Sequence, residues 1–135
     1  MLISEAFKAY GATLKNIQWS VSDFNDQDEL VVSLWDHLFE TRGKGTITYV
    51  DKVSRWSGFG NDAFRKHLPL EYEENRVVRA VIVKTKKTSV IDAGGSGANL
   101  GNTFSIKKDW VGKVIRWDGD NFEIEFKQSN CIRNK

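Results

Sequence analysis

Residues 76–87 read RVVRAVIVKTKK, and from Val77 to Val83 every position except Arg79 is apolar. A nearly continuous run of mostly β-branched residues bounded by charge is the pattern of a strand buried on both faces, so this segment is expected at the centre of a sheet. Alternation along that strand puts Arg79 on one face with Val77, Val81 and Val83. A guanidinium in such company needs acceptors. They are either an acid such as Asp36, met at a barrel end or sheet edge, or the carboxylate, phosphate or guanine edge of a ligand held in a pocket.

On the N-terminal side, NDAFRKHL at 61–68 reads as a short helix, with Asn61 at its cap, Phe64 and Leu68 stacked one turn apart, and Pro69 near its stop. EYEEN at 71–75 reads as a connection. On the C-terminal side, AGGSGANLGN at 93–102 has too little apolar area to offset the entropy of ordering and reads as a flexible glycine-rich loop. VGKVIRW, an Asp-Gly turn at 118–119 and NFEIEFK then form a hairpin, with Phe122, Ile124 and Phe126 facing in and Glu123, Glu125 and Lys127 facing out.

Further upstream, Ser4 caps a helix over about 4–10 that ends at Gly11. Ile17, Trp19 and Val21 share one face of a strand, DFNDQDE turns the chain, and LVVSLWDHLFE continues as a second strand. GKG at 43–45 turns it again into TITYVDKV. Two short helices and about six strands give an α+β fold with a strongly curved, mostly antiparallel sheet or small barrel, in a single domain spanning 1–135.

Composition narrows the class. The chain is 40% apolar and 28% charged, as soluble globular proteins are, and has no apolar run long enough to span a membrane. Its N-terminus lacks the basic and apolar regions of a secretory signal. A lone Cys131 rules out an internal disulfide framework or a cysteine-rich zinc site, and the cytoplasm is the expected location. The net charge is only +2, but residues 52–87 carry nine bases against four acids, whereas residues 1–50 carry four against seven. A basic middle third suits a polyanionic partner, although an ordinary solvated face has the same composition.

Residues 55–62, RWSGFGND, are the first candidate site. Gly58 and Gly60 permit close backbone approach, the amides opening the next helix favour an anion, and Arg55, Arg65 and Lys66 add positive charge. Trp56 and Phe59 offer stacking surfaces for a base. The competing reading is a tight corner whose rings plug the core.

Asp36 and His37 point to opposite faces of a strand and make no dyad, and His67 has no carboxylate at a metal-binding spacing. Glu125 and Lys127 have the acid-x-Lys form of some metal-dependent nucleases, but the same alternation arises in any amphipathic hairpin. GGSGANLG lacks the Lys-Ser/Thr ending of a phosphate loop. No catalytic residues, metal or cofactor are therefore expected.

The sequence reads best as a non-enzymatic binding module for single-stranded or flipped-base nucleic acid. Phosphates would meet Arg55, Arg65, Lys66, Lys84 and Lys86, and a base would stack on Trp56 or Phe59 beside Asn61. The alternative is a small-molecule site between sheet and helices, binding or enzymatic, lined by Arg79, Asp36 and Trp35. A third reading is a homodimer or adaptor joined through exposed aromatic side chains.

Overall fold

The computed structural model describes residues 2–13, 21–43, 45–56, 59–94 and 102–128, with Phe59 and Gly60 described by their backbone alone. Within these, the chain runs through helix α1 (Ile3–Ala9), strands β1 (Ser22–Phe24), β2 (Leu30–Trp35), β3 (Phe39–Thr41) and β4 (Thr46–Lys52), and helix α2 (Phe59–Glu74). It continues through β5 (Val78–Lys84), helix α3 (Thr88–Asp92), β6 (Thr103–Ile106), β7 (Trp110–Trp117) and β8 (Asn121–Gln128). The fold is α+β, with eight strands in one mixed sheet and three helices.

The strand order is β1-β2-β5-β7-β8-β4-β3, with β6 also paired to β5. β5 is central, as its apolar run requires. Val78, Ala80 and Ile82 join one core with Leu30, Val32 and Leu34, while Val81 joins Val31, Ala6, Phe7 and Ala12 beneath α1 on the other face. β2 and β5 pair in parallel and every other pair is antiparallel.

β6 and β7 line the same side of β5. Val81 stands opposite Ile106 and Val78 opposite Gly112, so the chain between β6 and β7 carries extra residues and loops out at Lys107–Asp109.

The sheet curls. β2 and β3 lie five places apart in its order, about 24 Å at the usual strand spacing if it were flat. Only the single 3-10 turn Asp36–Leu38 connects them, and a link that short reaches about 14 Å. The ends are therefore drawn toward each other, and the Tyr49 hydroxyl of β4 accepts a hydrogen bond from the Trp35 amide of β2 at 3.4 Å. The curl stops short of closure, with β1 and β3 as the two ends of the order, so the sheet is open where a small barrel was one expectation. α2 packs on β7 and β1, and its Phe64 and Leu68 enter the same core as Val53, Val114 and Phe122.

Several elements differ from the sequence reading. α2 starts before Asn61 and continues through Pro69 to Glu74, so EYEE is its last turn and not a connection. A proline inside a helix costs roughly 3 kcal/mol, and here the burial of Phe64 and Leu68 in the core works against that cost. The expected strand 30–40 is broken by the 3-10 turn, and α3 is an additional short helix.

The hairpin at 22–35 forms, but Ile17 and Trp19 lie outside the described residues, as do residues 95–101 of the glycine-rich segment. The β7–β8 hairpin forms with Phe122, Ile124 and Phe126 buried. Gly112 faces Phe126 so closely that a Cβ there would lie 2.3 Å from the ring, which is why a residue without a side chain stands in the middle of β7. No helix is long and apolar enough to cross a membrane among the described residues.

Candidate functional site

The corner between β4 and α2 is built from alternate positions of β4. Tyr49 and Asp51 point into the core side of the curl, and both are buried. The 3-10 turn Val53–Arg55 then swings Arg55 back over Asp51. Arg55 Nε donates to Oδ1 and Nη2 to Oδ2, both at 2.7 Å, a bidentate fork with strong, fixed geometry. Its Nη1 donates to the Ile91 carbonyl of α3 at 2.8 Å, and the guanidinium lies 4.7 Å from the Trp56 ring centre. Tyr49 donates to Asp51 Oδ2 at 3.2 Å, and burial, with the Asp51 charge beside it, pushes its phenol well above the ordinary value. Arg55 thus clamps β4 to α3.

The remaining corner residues also bond within the protein, although Arg65 is itself exposed. Asn61 is buried within α2 and is not its cap. Its Nδ2 donates to the Val53 carbonyl at 2.8 Å, and its Oδ1 accepts from Arg65 Nε at 2.6 Å. Arg65 reaches the same carbonyl at 3.3 Å. Trp56 is half-buried, with Phe64 6.0 Å away and Arg55 over its face. The Phe59 side chain, Ser57 and Gly58 lie outside the description. Lys66 is exposed on α2, and Lys84 and Lys86 are exposed at and beyond the end of β5.

Comparison with protein-family models, curated proteins and solved structures finds no match.

Arg79 has its acceptors. It contacts Glu29 Oε2 through Nε and Nη2, each at 3.3 Å, and donates through Nη1 to the Lys108 and Trp110 carbonyls at 3.3 and 3.1 Å. The acid is Glu29 and not Asp36, because the parallel register sets Val31 against Arg79 and Trp35 against Val83. Asp36 thus lies roughly 16 Å further along the strand direction, and Arg79, Asp36 and Trp35 do not assemble into one pocket. His37 instead pairs with Asp92 of α3 at 2.8 Å.

Two features have no forerunner in the sequence reading. Ser22 Oγ and His67 Nδ1 share a hydrogen bond of 2.8 Å between β1 and α2. One turn on, Glu71 is 1% exposed, and neither carboxyl oxygen has a hydrogen-bond partner. Burial raises its pKa to about 8, a rise opposed by Arg76 and reinforced by Glu74 and Glu29. Among the described residues no group of three or more His, Cys, Asp or Glu is placed to hold a metal ion.

Proposed function

We propose that this chain is a binding module for single-stranded nucleic acid, gripping phosphates with the lysines at and beyond the end of β5. One contrast carries this reading. Arg55 and Arg65 are tied to internal partners, whereas Lys84, Lys86 and Lys87 are exposed within four residues of chain and have no acid paired to them among the described residues. Free ammonium groups on a strand end suit a flexible phosphate backbone, which needs charge more than fixed geometry.

Lys66 on α2 is a further contact in this reading, and Trp56 contributes an edge more than a face, since Arg55 covers one side of its ring. Base stacking on Phe59 belongs to the same proposal, as does a cytoplasmic location. The test is titration of a labelled oligothymidylate by fluorescence anisotropy at low salt, with the wild type and with Lys84→Glu/Lys86→Glu. Binding by the wild type and at least tenfold weaker binding by the folded variant supports the proposal; equal affinities, or no wild-type binding, overturns it.

A further inference from the structure

At the opposite end of β5 from Lys84, between α1 and the sheet, lies a cleft of about 200 Å3 lined by Ala9, Tyr10, Gln27, Glu29, Arg79 and Lys108. Its charges are held in place. Glu29 Oε1 accepts from Asn25 Nδ2 at 2.8 Å, and the Asn25 side-chain carbonyl in turn accepts from the Gln27 and Glu29 amides, each at 2.9 Å. Arg79 is anchored on its far side by the Lys108 carbonyl of the loop between β6 and β7 and by the Trp110 carbonyl at the start of β7.

The contacts between these two groups are longer than the 2.7–2.9 Å usual for charge-assisted bonds, at 3.3 Å each. Four of the five guanidinium N–H groups are used, which leaves one on Nη2. Lys108, an exposed residue, also lines the cleft, and its side chain has no acid paired to it among the described residues. Tyr10 is a neutral wall, its hydroxyl donating to the Ala80 carbonyl and accepting from the Lys107 amide, each at 3.0 Å.

A lone anion in this cleft would face Glu29, and a lone cation would face Arg79 and Lys108. A molecule carrying both charges one carbon apart meets all three. We propose that the cleft binds a free α-amino acid, its carboxylate on Arg79 Nη2 and the Lys108 ammonium and its ammonium on Glu29 Oε2. The cleft is smaller than the roughly 300–1,000 Å3 typical of drug-sized ligands, which suits a short side chain.

The test uses the full chain and two-dimensional amide NMR, with a panel of free amino acids and with acetate, methylammonium and inorganic phosphate as single-charge controls. A saturable shift of the Gln27, Glu29, Arg79 and Lys108 amides by at least one short amino acid is expected, with every control at least tenfold weaker. Lys108→Gln, at an exposed position where folding is not at stake, is expected to weaken binding about tenfold, and Arg79→Gln to abolish it if it folds. No saturable shift from any amino acid, a control that binds as tightly, or undiminished binding by Lys108→Gln would overturn the proposal.

Discussion

Replacing Glu71 with glutamine keeps the shape of the side chain and removes its titration. In the folded chain the carboxyl has a pKa of about 8, against 4.5 for an unperturbed glutamate, because both its oxygens are buried without a partner. A raised carboxyl pKa favours the protonated fold, so its contribution to stability is complete below pH 4.5 and is lost as pH rises toward 8. At about 1.4 kcal/mol per unit, the loss at pH 7 is about 3 kcal/mol and approaches about 5 kcal/mol above pH 8. Glu71→Gln does not suffer this loss.

Urea unfolding of both proteins at pH 5, 7 and 8.5 is the assay, with stability read from the midpoint at constant m-value. The curves are expected to lie close together at pH 5 and to separate by about 3 kcal/mol at pH 7, with the glutamine variant the more stable. A separation that does not change with pH would refute the reasoning, since the burial of an amide or a neutral acid has no pH dependence of its own.

Other substitutions probe the remaining joints. Arg55→Met leaves Asp51 buried without its fork and is expected to cost about 3 to 5 kcal/mol by chemical denaturation. Arg79→Met removes a longer, partly solvated pair, and a cost of about 1 to 3 kcal/mol is expected in the same measurement. Gly112→Ala drives a methyl group into the Phe126 ring, for an expected loss of about 1 to 3 kcal/mol. Phe64→Ala in the core is expected to cost about 3 to 5 kcal/mol, seen as a lower Tm.

β5 and the β7–β8 hairpin are legible in the sequence because their signals are local. An apolar run flanked by charge, and the alternation of NFEIEFK after Asp118–Gly119, specify element and facing together. Arg79's need for an acceptor is legible for the same reason, but the identity of its partner depends on the parallel register of β2 and β5, which no local pattern encodes.

Glu71 is the opposite case. Within EYEEN it resembles a solvated charge, and only continuation of α2 through Pro69 carries it into the interior. α3 is five residues long, too short for periodicity to register, yet its Ile91 carbonyl holds Arg55 and its Asp92 meets His37. The octet 55–62 shows why composition alone misleads about a basic site: arginine and asparagine beside glycines look available in sequence, but Arg55 and Asn61 spend their polar groups on joining β4, α2 and α3.

The salt dependence of oligonucleotide affinity tests the lysine surface most directly. Each phosphate contacted on a single strand contributes about 0.7 to the slope of log affinity against log salt. Replacing Lys84, Lys86 and Lys87 together with glutamine is therefore expected to lower that slope by about 2 as well as weakening binding. A wild-type slope near zero, or a triple variant with an unchanged slope, would contradict phosphate recognition at the end of β5.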